Sequence, residues 1–227
     1  MPYGPRGIYR LIPSLTWQCD EQVASALARV GARAGDDARI VDLGAGGRRI
    51  SRNTVAVDFV AGPDTDVVGD VQRLPFLDGS VDLVFATGLF EHVADERAVI
   101  AEIRRVLRTG GLVHVEIPFL EAYHEDPIDV RRLTADGLDR AMRDAGFRTL
   151  GRGGHIGPTI ALVSLAARWW ALWFEGDGRL SKALSFAAFT AASVVLWPFK
   201  FLDGLLRKKK GAHGLSMGVY FTGEKIG

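Results

Sequence analysis

One cysteine, Cys19, stands alone in 227 residues. An internal disulfide is therefore excluded, and a reducing compartment suits the chain. Net charge is nearly absent as well: 28 Lys and Arg stand against 27 Asp and Glu, formally +1 at pH 7. That balance gives no strong field to gather nucleic acid, and no nucleic-acid partner is expected. The opening MPYGPRGIYRLIPSL lacks the unbroken apolar run of a secretory signal, so the bulk of the protein is expected in the cytoplasm. Charge is missing altogether from Ala183 to Phe199, and from Ile156 to Phe174 it is represented only by Arg168. These two stretches set the C-terminal third apart.

What is present describes a globular chain, 48% apolar and 24% charged. Short apolar runs stopped by glycine or acid recur at Arg39–Leu43, Val55–Asp58, Val67–Asp70 and Val81–Ala86, and they suit buried parallel strands. Val99, Ile100, Ile103, Val106 and Leu107 fall at helical spacing, with Gly110-Gly111 expected to end that helix. A fifth strand follows from Leu112 to Ile117, then a helix over Thr134–Ala145 with Thr134 as N-cap. Phe147–Arg152 and Met217–Thr222 are predicted as sixth and seventh strands, and a further helix is predicted near the N-terminus, about Asp20 to Ala34. Alternating strands and helices give an α/β fold with a doubly wound, Rossmann-like sheet.

In such sheets ligands bind beyond the carboxyl ends of the strands. The first strand delivers Asp42-Leu-Gly44-Ala-Gly46-Gly47 to that edge, and glycine there lets a ligand approach the backbone closely. The second strand ends on Asp58, sixteen positions later, where a carboxylate can accept hydrogen bonds from a ribose. The third ends on Gly69-Asp70, suited to an exocyclic amine. Three acids at three successive strand ends point to a nucleoside. A dinucleotide fits less well, because Arg49 stands where its fingerprint needs a third glycine and little room remains for a helix before Val55. Arg48 and Arg49 could still hold a phosphate.

The stretches VDLGAGG, AVDF, GDVQRLPFLDGSVDLVFATGLFEHV and EIRRVLRTGGLVHVEIPF resemble the class I S-adenosylmethionine-dependent methyltransferases, in the subfamily called type 11. The resemblance implies a seven-stranded sheet with an antiparallel last strand and S-adenosylmethionine as cofactor. It implies that Gly44 and Gly46 approach the methionine part, that Asp58 holds the ribose, and that Asp70 and Val71 flank the adenine, with Phe59 packed on it. Asp42, Ala45 and Thr87 complete the expected cofactor set. The loop between Asp42 and Asp58 is shorter than in most of that family, which puts the first helix in question.

Methyl transfer to a hydroxyl also needs a base, and histidine is the commonest. His92, in Glu91-His92 after the fourth strand, and His124 are the candidates, with His124 preferred. His124, Pro127, Asp129, Arg132 and Thr134 resemble the HxxPxDxxRxT pattern of methyltransferases of bacterial glycan and envelope pathways. Asp126 and Arg132 are the expected acceptor contacts, Arg132 alternatively a loop brace. No metal is expected.

The chain divides into an N-terminal extension (1–38), a cofactor-binding domain (39–155 and 212–227), and an apolar helical hairpin inserted before the last strand (156–211). The nineteen residues from Ile156 to Phe174 would span roughly 28 Å as a helix, close to a bilayer core. Trp169, Trp170, Trp173 and Trp197 suit an interface belt, and Arg207-Lys-Lys-Lys210 suits an anionic lipid surface. A methyltransferase acting on a lipid or lipid-linked glycan at the inner face of the cell membrane is the leading expectation. A soluble small-molecule methyltransferase with an apolar lid or dimer interface, and a non-catalytic membrane scaffold with this fold, are the alternatives.

Overall fold

The computed structural model describes residues 17–46, 49–51, 53–124, 128–206 and 208–227. They form two compact units. Of the described residues, the larger holds those within Val23–Phe119, Tyr123–Gly153 and Gly218–Gly227; the smaller holds those within Leu120–Ala122 and Gly154–Met217, together with 17–22.

The larger unit is built on a seven-stranded sheet. Its strands are β1 (Ile40–Leu43), β2 (Thr54–Asp58), β3 (Val67–Val68), β4 (Val81–Thr87), β5 (Leu107–Pro118), β6 (Phe147–Gly154) and β7 (Gly218–Lys225). Their order is β3-β2-β1-β4-β5-β7-β6. β1 pairs in parallel with β2 on one side and β4 on the other, and β7 runs antiparallel to β5. Chain direction across the sheet thus reverses between β1 and β4, which places a topological switch point at the end of β1.

Period-two alternation gives the sheet two apolar faces. Val41, Leu43, Val84 and Ala86 enter one core with Val113, Val115 and Ile117; Ile40, Leu83, Phe85 and Leu112 enter a second. Helix α1 (Trp17–Ala34) covers the second face through Val23, Ala26, Leu27 and Val30, a three-four spacing on one helix side. The helix expected within the N-terminal extension thus contributes to the core of the sheet.

Helix α2 (Glu96–Val106) starts where Asp95 accepts from the Arg97 and Ala98 amides, at 3.0 and 3.2 Å. It buries Val99, Ile100, Ile103 and Val106. It does not run on to Gly110-Gly111: Leu107 is already extended and opens β5. The glycines serve a turn inside that strand instead. Register there jumps from Val81↔Leu107 to Leu83↔Leu112, Gly110 takes φ +77°, and a Cβ on Gly111 would lie 2.8 Å from the Arg108 carbonyl oxygen. Helix α3 (Ala135–Asp144) begins at Thr134, whose hydroxyl accepts from the Gly137 amide at 3.0 Å. No helix occurs between β1 and β2 among the described residues, as the short loop anticipates.

The smaller unit contains α4 (Pro158–Leu172) and α5 (Arg179–Leu196), the latter continuing through further helical turns to Leu206. Asp203 is fully buried and accepts from the Thr159 and Ile160 amides at 2.8 and 3.1 Å, capping α4. α4 has 15 residues, so it reaches only about 22 Å rather than the 28 Å expected of the first apolar stretch. It ends at Leu172 before Glu175-Gly-Asp-Gly178. Among the described residues only Arg179–Leu206 is long and apolar enough to cross a membrane.

Candidate functional site

Four parallel strands carry the predicted cofactor residues to one sheet edge. After β1, Gly44 turns at φ +70° and donates its amide to the Val57 carbonyl at 2.9 Å. A Cβ on Gly44 would lie 3.0 Å from Leu89 Cδ1, so both conformation and space call for glycine. Gly46, at φ +58°, has only the Gly44 carbonyl within 4 Å of a hypothetical Cβ, at 3.8 Å. Among the described residues nothing else crowds the second glycine of the loop. Asp42 and Ala45 are buried beneath it. Gly47 and Arg48 lie outside the described residues.

Asp58 closes β2 beside this loop. Its Oδ2 accepts from the Gly46 amide at 2.8 Å and its Oδ1 from the Val60 amide at 3.0 Å. A carboxylate offers about four lone-pair positions, so each oxygen retains one for a further donor. The next residue, Phe59, is 79% exposed, an open aromatic face at the strand end. Asp70 accepts from the Gln72 amide at 2.8 Å and stays exposed, and Val71 packs into the larger core, leaving only its backbone toward the edge. Thr87 closes β4, half-buried. A glycine cradle, a carboxylate with spare acceptors and an exposed ring fit the methionine, ribose and adenine parts of S-adenosylmethionine.

Arg49 is not available for a phosphate. Its guanidinium binds Asp66 at 2.8 Å and the Thr54 carbonyl at 2.8 Å, and Asp66 in turn accepts from the Ala56 amide at 2.8 Å. The hydrogen bond from Arg49 holds the Asp66 carboxyl below its ordinary range. The arginine at the third glycine position thus braces β2.

The two candidate bases meet. His92 follows β4 on a single helical turn, Phe90–His92, and His124 follows β5. Their rings stand edge to face with centroids 5.3 Å apart. Between them is Glu91, with a side chain only 2% exposed. Its Oε1 is 3.7 Å from His92 Nε2 and 4.0 Å from His124 Nε2. Burial pushes the Glu91 carboxyl up to about 7, the Asp129 charge adding to this and Arg132 opposing it. Composition gave no hint of this group, although its signal was in the sequence: Phe90 and Val93 flank Glu91-His92 with apolar side chains that pull the pair inward.

The loop after β5 is organised by Asp129. That carboxylate accepts from the His124 amide at 2.9 Å and receives Arg132 through both guanidinium nitrogens, Nη2 at 2.6 Å. Arg132 thus braces the loop through Asp129. Arg131 spans to Glu96 at 2.7 Å and to the Val93 carbonyl at 3.1 Å, tying the loop to the start of α2. Asp126 and Pro127 lie outside the described residues.

Residues 21–115 match the family described as "Methyltransferase domain". A probable S-adenosylmethionine-dependent methyltransferase of Mycobacterium tuberculosis is 32% identical over 114 residues, 43% of this chain and 42% of that one. A sterol 24-C-methyltransferase of Gibberella zeae is 38% identical over 136 residues, 52% of this chain and 34% of that one. The chain thus spans between about a third and two-fifths of the length of these curated relatives. Among solved structures, a putative sarcosine dimethylglycine methyltransferase of Galdieria sulphuraria superposes with a TM-score of 0.56 at 18% identity, covering 92% of this chain and 86% of that one. That likeness establishes a shared fold. Residues 21–115 thus match a methyltransferase domain, and the sheet that carries them shares its fold with solved methyltransferases.

Proposed function

We propose that this protein methylates an oxygen of a lipid or lipid-linked glycan at the inner face of the cell membrane. S-Adenosylmethionine, when bound, supplies a methyl group on a sulfonium, an already activated leaving group. The protein's own work is then to hold donor and acceptor in line and to remove the acceptor's proton. Asp58 grips the ribose, Gly44 and Gly46 admit the methionine part, and the Glu91–His92–His124 cluster takes up the hydroxyl proton. Asp129 and Arg132 hold His124 in place for this.

The observation that carries the lipid reading is the exposed apolar surface of the smaller unit. Leu162, Trp169, Trp170, Trp173, Leu180, Val194, Val195 and Leu205 are each more than half exposed, and only 6% of the most apolar window of Arg179–Leu206 is buried. A surface of that extent in water marks an interaction site, and exposed Lys208-Lys209-Lys210 beside it favours anionic headgroups. A bilayer-bound insert tethers the methyltransferase domain among lipid acceptors and raises their effective concentration.

Flotation of the full chain with vesicles containing a fifth anionic lipid tests the surface; incorporation of labelled methyl into membrane extracts tests the acceptor. Protein that stays entirely at the bottom of the gradient without detergent would sink the membrane reading. Label that enters only water-soluble metabolites would sink the lipid acceptor.

A further inference from the structure

The Glu91–His92–His124 cluster has the form of a metal site. One oxygen of Glu91 stands 3.7 and 4.0 Å from the Nε2 atoms of the two histidines, and one ligand atom from each of the three residues lies within 4.8 Å of the others. These separations are too long for hydrogen bonds between the three groups. They are close to the spacing that a shared ion imposes: two ligands about 2.0–2.1 Å from a tetrahedral centre lie about 3.4 Å apart. Small rotations of the side chains would bring all three onto one ion.

Two further observations point the same way. First, Glu91 is buried and its Oε2 has no hydrogen-bond partner among the described residues, so the carboxyl keeps acceptor capacity for a ligand. Second, the His92 imidazole is held from its far side, and His124 is held through its backbone amide. His92 Nδ1–H donates to the Ile128 carbonyl, which fixes the tautomer and leaves the Nε2 lone pair on the side of Glu91. His124 has Asp129 Oδ2 at 3.6 Å from Nδ1, the same carboxylate that holds its amide at 2.9 Å and is itself locked by Arg132. A carbonyl behind the imidazole, as at His92, is a usual outer-shell partner of a metal-bound histidine.

We propose that Glu91, His92 and His124 bind a divalent transition-metal ion, with Ile128 orienting the His92 imidazole and Asp129 holding the backbone of His124. Two imidazoles and one carboxylate, with no thiolate, suit Zn²⁺ or another borderline dication and disfavour Mg²⁺ and Ca²⁺, which prefer oxygen ligands alone. Three protein ligands leave a coordination position for an oxygen. In the reaction proposed above that oxygen is the acceptor hydroxyl, whose proton the ion makes easier to lose to solvent water, so that with the ion bound the three side chains serve as ligands instead of taking up the proton. The inference deepens that reading by naming what the cluster does to the acceptor, but its test uses neither cofactor nor acceptor.

The full chain, stripped with a chelator and dialysed, is titrated with Zn²⁺ alone by calorimetry, and Co²⁺ is added separately as an optical probe. The expected result is one ion per chain, with release of protons and a visible Co²⁺ spectrum lacking a thiolate charge-transfer band. His124→Ala and Glu91→Gln should each weaken binding at least tenfold, and Asp129→Asn by about 10–100-fold, while His213→Ala should leave it unchanged. Circular dichroism of each variant establishes that it is folded. A His92→Gln variant provides a second first-contact substitution should Glu91→Gln unfold. Absence of stoichiometric binding by the folded chain would overturn the proposal, as would binding that all of these variants retain or a thiolate band that assigns the ion to Cys19. None of those outcomes touches cofactor binding, so methyl transfer would stand without the ion.

Discussion

Removing the Asp58 carboxylate should abolish cofactor affinity without unfolding the domain. In the structure each carboxylate oxygen accepts one backbone amide, from Gly46 and Val60, at 2.8 and 3.0 Å. One lone pair per oxygen is left, enough for the two hydroxyls of a ribose. A hydrogen bond to a charged group contributes about 1.5–3 kcal/mol, so losing two costs about 3 kcal/mol or more, a fall of at least 100-fold in affinity. Asp58→Asn keeps the shape and one acceptor oxygen but turns an amide toward either Gly46 or the ligand, and about tenfold to 100-fold is expected. Calorimetric titration with S-adenosylmethionine reads the affinity, and a thermal melt of the free protein reads the cost of losing the brace. Asp66→Asn is the control: it weakens the Arg49 brace and should lower the melting temperature while sparing affinity. Unchanged binding in Asp58→Ala, or an equal loss of affinity in Asp66→Asn, would refute the assignment of Asp58 to the ribose.

Gly44→Ala should lower stability by about 1–2 kcal/mol through its φ of +70° alone, and by more through the 3.0 Å approach to Leu89; Leu89→Ala in the same chain should recover only the second part, as read by denaturant midpoints. Glu102 pairs with Arg105 and accepts from the Leu74 amide at 2.8 Å, and Arg105 foremost holds its carboxyl below the ordinary 4.5. Its folded value is depressed, so the stabilisation is complete above the unfolded value and fades as the pH falls through the folded one; Glu102→Gln should cost about 1–3 kcal/mol at pH 7 and progressively less as the pH is lowered below 4.5, measured by urea unfolding across that range. Asp203→Ala removes the cap of α4 and leaves two buried amides without an acceptor, so limited proteolysis should cut the insert sooner while leaving calorimetric cofactor binding intact. Val194→Glu with Val195→Glu charges the exposed face of α5, and vesicle flotation should fall several-fold with the melt unchanged.

Much of this architecture was readable because its signals are local. Apolar runs stopped by glycine or acid fixed β1, β2 and β4 to within a residue or two, and Thr134 capped its helix where the sequence placed it. The Gly110-Gly111 pair was misleading for a physical reason: glycine marks a positive φ, and the sequence does not say whether that φ ends a helix or turns a strand. The first apolar stretch likewise counts nineteen residues, but the helix can use only those between the Pro158 start and the polar loop after Phe174. Pairings across distant loops were out of reach. Nothing local says that Arg49 will seek Asp66, or that Arg132 will spend both guanidinium nitrogens on Asp129.

The same limit explains why His92 and His124, thirty-two positions apart, read as rival bases. Strand order dissolves the rivalry. β4 and β5 are parallel neighbours, so the turns that follow them come off the same edge, and residues at comparable distances past the two strand ends must face each other. One of those turns carries an acid between two apolar side chains, and burial of Phe90 drags Glu91 into the gap. A lone histidine in such a place would be free to act as a simple base. Two histidines beside one buried carboxylate, one of them held from behind, share a common point, and that geometry is what turns the question from which histidine takes the proton to what the three side chains hold.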